Sequence, residues 1–329
     1  MYLFHAQSGA IVGSITGLKP GRTRRLSSRL SPGLYAWGCD LNGFPRHVSE
    51  AARVPKHAQV GGPGPTVIPL LPGELGGPLV SYRRYVASLI VVLRGQVATL
   101  AADLQAGNVS AASSAWLAAH ITWLSIGQDD GAYGAFGDLG REIDGTAAGL
   151  VDGTADRSFT GFHKIEFDIW RRGDIVAAAQ DADRLSSLVG VLSRQKLARA
   201  LPATQLGISS WVLRPHEILE DALRDSLSGN DDYGSGTDLA SVTADVAATR
   251  ELLTLLQPAL LIRAPGLVGT ARRELTAVMR AVDAARVGGG WPAVATLTLG
   301  AHERIDAAVG AALETLALVP DRLQVGGEI

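Results

Sequence analysis

The sequence has little cysteine, methionine and net charge, and it has no long apolar run. Cys39 is the single cysteine among 329 residues, so no internal disulfide can form and cysteine usage does not indicate the redox compartment. The formal net charge of −2 gives no electrostatic reason to expect a nucleic-acid partner. No apolar run reaches the roughly 18 residues that span a bilayer, so the sequence predicts no transmembrane segment.

A secretion signal is also missing from the first residues. MYLFHAQSGAIVGS has no basic start followed by a long apolar run. We therefore expect either a cytosolic chain or a true start upstream of Met1. The hydrophobic content of 47% is high enough for a sizeable core, which excludes global disorder.

Residues 1–50 differ in pattern from the rest of the chain. Short β-branched or aromatic runs (AIVGSITGL, GLYAWGC) are separated by the turn dipeptides Pro20-Gly21 and Pro32-Gly33, which predicts a small β segment. Residues 51–78 are rich in proline and glycine, which indicates a linker because proline removes backbone donors.

From about residue 80 the apolar spacing is helical. Three- and four-residue spacings recur through about seven sizeable segments up to Leu318, among them SYRRYVASLIVVLRGQVATLAADLQ and TDLASVTADVAATRELLTLLQ. We expect Pro202 to end one helix and Pro215 to kink or restart another. The Gly-rich residues 131–158 are predicted to be a long loop with short turns. The fold class predicted is all-α, a multi-helix up-and-down bundle of two pseudo-repeated four-helix bundles with a small N-terminal β segment.

One aromatic-rich stretch, FTGFHKIEFDIW, carries the clearest site motif. On a helix, His163 and Glu166 project from the same face because residues three apart are neighbours. An imidazole nitrogen and a carboxylate at this spacing can bind one cation, as in helix-bundle metal sites. Thr160 is a candidate cap of the first turn. The alternative is a surface pair with no ligand.

Four stretches in this order, AYGAFGDLGREIDG, FTGFHKIEFDIW, HEILEDAL and YGSGTDLASVTADV, resemble the imelysin-like or EfeO-type family. Its members are exported helical-bundle proteins of bacterial iron-uptake systems, once grouped with peptidases. The resemblance covers roughly residues 80–318 and implies an imelysin-like helical domain at 79–320. It also implies that residues 1–50 are the last strands of a cupredoxin-like domain.

The resemblance implies a metal site. His163 and Glu166 match the family's His-x-x-Glu ligands, and Asp144 matches an acidic residue of the preceding loop. Glu217 or Glu220 matches a carboxylate from the second half of the bundle. The family also has two glutamates at the end of the second helix, where this sequence has Gly127 and Asp130.

Each candidate has an ordinary alternative. Asp130 and Asp144 also suit caps and turns, and Glu217 and Glu220 suit a solvated helix face. His120 lies on the second helix and either reaches the metal or is satisfied by a neighbour. Tyr133 and Phe136 either close over a ligand or simply pack.

Two other kinds of site, a blue-copper site and a metallopeptidase site, find less support in the sequence. Cys39 and His47 resemble part of a blue-copper loop, but that site needs a second histidine and usually an axial methionine, and the only methionines are Met1 and Met279. HExxH is absent, because His216 and His302 begin HEILE and HERID without a second histidine. A metallopeptidase is the remaining enzymatic alternative to the non-enzymatic protein we predict.

The predicted function is a metal-binding component of a bacterial iron-uptake system, which captures ferric iron or a divalent cation such as zinc at an inter-helix site. The resemblance implies an exported, periplasmic or cell-surface location. It also implies partners among uptake-system subunits, such as a membrane iron permease. The alternative function is a helical module for an acidic polysaccharide, a chelate or a partner protein, with a degenerate metal site.

Overall fold

The β-branched runs at the start of the chain form an antiparallel sheet. The structure is a computed structural model, and it describes residues 1–14, 26, 30–39, 47–55, 72–127, 136–194 and 208–323. The strands are β1 Tyr2–His5, β2 Ile11–Ser14, β3 Gly33–Cys39, β4 His47–Val48 and β5 Ala52–Val54. Their order is β2-β1-β3-β4, and β5 also pairs with β3, so the sheet continues past the predicted boundary at residue 50. Most of the predicted Pro/Gly-rich linker lies outside the described residues.

The helical part begins with a 3-10 turn at Pro72–Leu75. The helices of the first half are α1 Gly76–Gln105, α2 Val109–Leu124, α3 Asp138–Asp144, α4 Phe162–Glu166 and α5 Ile175–Arg194. Those of the second half are α6 Ile208–Asp221, α7 Asp238–Arg263, α8 Leu267–Asp283, α9 Leu299–Leu316 and α10 Leu318–Arg322. α4 and α6 each continue into π-helical turns, at Phe167–Arg172 and Ala222–Ser226.

Three local predictions need correction. The Gly-rich segment is not all loop, because α3 forms within it. Pro215 does not restart its helix, since α6 runs through it, and the predicted kink stays a prediction. Thr160 does not cap α4: Gly161 precedes the helix, and the Thr160 hydroxyl donates instead to the Glu142 carbonyl, 2.8 Å away. The predicted helix end at Pro202 lies outside the described residues.

The helices pack as a bundle around one continuous apolar core. α1 lies along α2 and α5, while α7 packs on α6 and α8 and also contacts α2, which joins the two halves. On α1, the buried Val86, Ile90, Leu93 and Val97 follow the three- and four-residue spacing of one helix face. The prediction of a helical bundle with a small β segment is therefore confirmed.

α1 is, within the described ranges, the one helix long and apolar enough to cross a membrane by length and composition alone. Its most apolar stretch is 33% buried, and the buried face packs on α2 and α5. Helices of soluble proteins can also pass a test of length and composition, so this single feature is weak evidence for a membrane span.

Candidate metal centre

Three elements bring together two histidines and an aspartate, which we call the metal centre: His120 of α2, Asp144 at the end of α3, and His163 of α4. Asp144 Oδ1 lies 3.2 Å from His120 Nε2 and 3.7 Å from His163 Nε2. One ligand atom from each residue falls within 4.8 Å of the other two, and all three residues are buried. The arrangement can hold one metal ion.

Three polar atoms of the metal centre have no hydrogen bond within the ranges that the structure describes. Neither ring nitrogen of His120 nor Asp144 Oδ1 has a hydrogen-bond partner among the described residues, even though two of these atoms are 3.2 Å apart. Buried polar groups are normally paired, and an exception needs an explanation such as a bound ion. The donor set therefore fits a cation.

The carboxylate of Glu166 does not join the metal centre. It connects His163 to a loop of the second half. Its Oε2 lies 3.1 Å from His163 Nδ1. Its Oε1 accepts hydrogen bonds from the backbone N–H groups of Tyr233 and Ser235 and from the Ser235 hydroxyl, at 3.1, 3.0 and 2.6 Å. A carboxylate on Nδ1 fixes the ring orientation and leaves Nε2 for a metal.

The local sequence explains why α3 and α4 approach so closely. Gly161 precedes α4 at φ +79°, and a Cβ there would lie 2.0 Å from the Ile143 carbonyl oxygen of α3. The Trp116 indole N–H donates to the Phe162 carbonyl at 2.9 Å, tying α2 to the start of α4. Glycine at position 161 and tryptophan at position 116 thereby set the distances between the three elements.

The electrostatics of the site favour a charged His163 when no metal is present. Burial lowers the pKa of His163, but the Asp144 charge and the Glu166 hydrogen bond outweigh burial and raise the pKa to about 9. For Glu166, burial raises the pKa, but the contacts with His163 and Ser235 bring it below its usual value. A cation would take the place of the His163 proton.

We expect Glu166→Gln to weaken metal binding by roughly 10- to 100-fold, the usual loss when the outer partner of a ligating histidine is removed. The glutamine amide nitrogen would donate to Nδ1 and move the ring proton to Nε2, where it blocks the metal. Calorimetric titration with zinc measures the effect. Glu220→Gln is the matched control, and equal losses in both variants would contradict this role for Glu166.

Acidic residues of the second half face the metal centre across a cavity of about 900 Å³. The cavity is lined by Asp231 and Asp245 as well as by the three residues of the metal centre. The Ser226 hydroxyl donates to Asp231 Oδ2 at 2.9 Å, while Asp231 Oδ1 has no hydrogen-bond partner among the described residues. Sequence reasoning did not single out these two aspartates, although Asp245 falls within YGSGTDLASVTADV and Asp231 lies just before it.

The remaining predicted site residues lie elsewhere. Glu217 pairs with Arg214 at 3.1 Å, and Glu220, 58% exposed, lies 3.5 Å from His216. Neither glutamate lines the cavity or joins the metal centre. Phe136 is buried against Trp123. Asp130 and Tyr133 lie outside the described residues.

Asp238, at the start of α7, is a second strongly perturbed group. Burial, together with the charges of Asp231, Asp232 and Glu166, raises its pKa from 3.8 to about 8. Between these two values the folded chain holds a proton that the unfolded chain releases. The stabilising contribution of this group is therefore complete below the unfolded pKa and is lost as the pH rises towards 8.

We expect Asp238→Asn to remove this pH dependence. The free energy of unfolding of the native sequence, relative to that of the variant, should fall steadily between pH 5 and pH 8, because only the native side chain must lose a proton in a buried acidic setting. Urea unfolding of both proteins at intervals of pH measures the difference. A difference that stays constant across this range would contradict the raised pKa.

The all-α fold and the buried site of two histidines and a carboxylate define a helical-bundle protein with a potential metal centre. Residues 78–204 match the family model of Imelysin, Peptidase_M75. The iron uptake system component EfeO of Yersinia pseudotuberculosis serotype I is 23% identical over 252 residues, which are 76% of this chain and 62% of that protein. The iron uptake system component EfeO of Escherichia coli O157:H7 is 24% identical over 252 residues, 76% of this chain and 63% of the relative. These matches confirm the resemblance to imelysin-like, EfeO-type proteins, and the chain spans just under two thirds of the length of these relatives.

Proposed function

We propose that this chain is a non-enzymatic metal-binding component of an iron-uptake system and holds its cation at His120, Asp144 and His163. The observation that carries the proposal is the set of buried donor atoms in the metal centre that lack hydrogen-bond partners. Three separate elements place these atoms within reach of a single ion. The relatives named as iron uptake system components support iron as the cargo.

The chemistry of the donors supports the choice of metal. Two imidazoles and one carboxylate form the set that commonly binds non-haem Fe(II) with open coordination positions. Zinc also accepts this set, whereas Cu(I) prefers thiolate and thioether ligands, and none lies in the metal centre. Ferric iron, the cation expected from the family resemblance, is a hard acid that the facing aspartates would favour.

Delivery to a membrane partner and an exported location belong to the same proposal. The relatives are named as components of an uptake system, which supports a partner such as a membrane permease.

A peptidase is the enzymatic alternative, because the matching family model is also called Peptidase_M75. The absence of an HExxH motif favours capture of the metal over hydrolysis.

Calorimetric titration with Fe(II) under anaerobic conditions, Zn(II) and Cu(II) tests the proposal. We expect the native protein to bind one Fe(II) or Zn(II) and His163→Ala to lose that binding. His216→Ala is the matched control because this histidine is partly exposed and pairs only with Glu220 in the described part of the chain. Equal binding by native protein and His163→Ala would overturn the assignment of the site.

The size of the cavity supports the alternative function predicted from the sequence. That alternative is a module for an acidic polysaccharide, a chelate or a partner protein. The cavity is much larger than a metal ion, and pockets of roughly 300–1,000 Å³ usually hold small molecules. This observation favours the chelate among the three alternatives. It is compatible with an intact metal centre.

A further inference from the structure

Four arginines from separate parts of the chain line the same cavity as the metal centre. We call them the arginine rim: Arg141 of α3, Arg157 before α4, Arg184 of α5 and Arg224 in the π-helical turn after α6. Guanidinium groups bind carboxylates and phosphates in a fork geometry that lysine does not offer. Their convergence indicates that the cavity receives an anionic group.

Depth distinguishes the metal centre from the arginine rim. The side chain of Asp144 is 4% exposed, whereas those of Arg141 and Arg184 are 58% and 48% exposed. A ligand in the cavity would therefore meet Asp144 and the two imidazoles at the inner end, and guanidinium groups accompanied by Glu142 and Asp225 nearer solvent. This change of charge with depth suits a cation at the inner end that is coordinated by an anion on the solvent side.

The charge balance makes the two binding events depend on each other. Six carboxylates and four arginines line the cavity, a formal balance of −2 with neutral histidines and −1 with one histidine protonated. This balance repels a free anion. A divalent or trivalent cation brings the balance to zero or +1, so an anion becomes acceptable only after the cation is present.

Two members of the arginine rim, Arg157 and Arg184, are available to a ligand, whereas Arg224 is held by Asp221 and Asp225 at 2.8 and 2.6 Å. Arg157 is exposed and forms no ion pair with any other residue that the structure describes. Arg184 reaches Glu142 only at 3.6 Å, and Arg141 pairs with the highly exposed Asp138. Exposed pairs of this kind are worth about 0–1 kcal/mol, so a bound carboxylate competes with them easily.

The metal centre itself leaves room for such an anion. Its three protein donors do not fill the six positions that iron commonly uses, and a few waters of about 30 Å³ each would occupy little of the cavity. We propose that the cavity binds its cation together with a small polycarboxylate, whose carboxylates complete the coordination and accept hydrogen bonds from Arg157 and Arg184. This inference rests on the metal-binding function proposed above.

Equilibrium dialysis with radiolabelled iron and radiolabelled citrate tests whether the cavity binds a cation together with a polycarboxylate. We expect the native protein to retain citrate together with ferric iron, and to retain no citrate when metal is absent. In the double variant Arg157→Gln/Arg184→Gln, ferric citrate should bind at least tenfold more weakly, while anaerobic Fe(II) without citrate should bind at least as tightly as before, because the lining becomes more negative. Arg304→Gln, an exposed arginine of α9 away from the cavity, is the control and should change neither.

Ferric citrate binding that the double variant leaves unchanged would overturn the inference, as would equal retention of citrate with and without metal. Either outcome would leave the proposed metal-binding site intact, provided that His163→Ala no longer binds Fe(II). Failure of the native protein to bind any metal would instead overturn the proposed function together with this inference.

Discussion

Asp144→Asn should weaken metal binding by about 100-fold or more, beyond the roughly 10- to 100-fold lost when an outer partner of a ligating histidine is removed. Asp144 is the central donor, since its Oδ1 lies within 3.7 Å of both histidine Nε2 atoms. Asparagine has nearly the same shape but no charge. It would leave two neutral imidazoles to hold a cation in a buried site, where an unbalanced charge is costly.

The same variant has a readout that needs no metal. The Asp144 charge is the largest of the influences that raise the pKa of His163 to about 9, so Asp144→Asn should lower that pKa. Nuclear magnetic resonance titration of the imidazole protons in metal-free protein measures the shift.

Asp138→Asn is the matched control. Asp138 lies on the same helix, but its side chain is exposed and pairs with Arg141. This variant should change neither metal affinity nor the His163 pKa. A normal affinity and an unchanged His163 pKa in Asp144→Asn would show that Asp144 is a structural residue only.

Gly161→Ala should destabilise the fold by about 4 kcal/mol or more, a loss in the range reserved for specific structural defects. At φ +79° and ψ −150° only glycine is comfortable, and strain there costs roughly 1–3 kcal/mol. The added Cβ would also lie 2.0 Å from the Ile143 oxygen and 2.6 Å from the Glu142 oxygen, which are backbone atoms that cannot rotate away. α3 would have to move, and Asp144 would move with it.

Gly173→Ala separates backbone strain from the clash. Gly173 has φ +65° and ψ +22°, but a Cβ there meets nothing within 4 Å, so only the left-handed conformation costs energy, roughly 1–2 kcal/mol. Urea unfolding gives both values, and zinc titration of folded Gly161→Ala shows whether the metal centre has shifted. Equal destabilisation by the two variants would mean that the close approach of α3 and α4 is not a tight constraint.

The helical bundle was predictable because helix formation is encoded locally. The three- and four-residue spacing of apolar side chains already predicted the helices that became α1, α5 and α7, with errors mostly at their ends. α3 was missed because seven residues between glycines carry too little periodicity to distinguish a helix from a turn. The uninterrupted passage of α6 through Pro215 depends on its packing against α7, which local propensity does not include.

The candidate site also combines residues that local sequence patterns predict with contacts that only tertiary packing sets. His163 and Asp144 were predicted as ligands, and the structure brings them together with His120, for which the sequence left two interpretations open. Glu166 follows His163 at helical spacing, but only its contacts with the backbone of Tyr233 and Ser235 assign it to orientation of the ring. Those contacts cross 67 and 69 residues of sequence, a separation that no local pattern reports.

The sequence by itself determined the class of the fold, the family resemblance and the His-x-x-Glu motif around which the metal centre forms. These features depend on periodicity and on residues a few positions apart. Only the tertiary structure decided that His120, and no carboxylate of α6, lies beside Asp144 and His163, that Asp231 and Asp245 line the same cavity, and that the arginine rim converges on it. The physical reason is that a metal centre or an anion site is a set of distances between separate elements, and packing of those elements sets the distances.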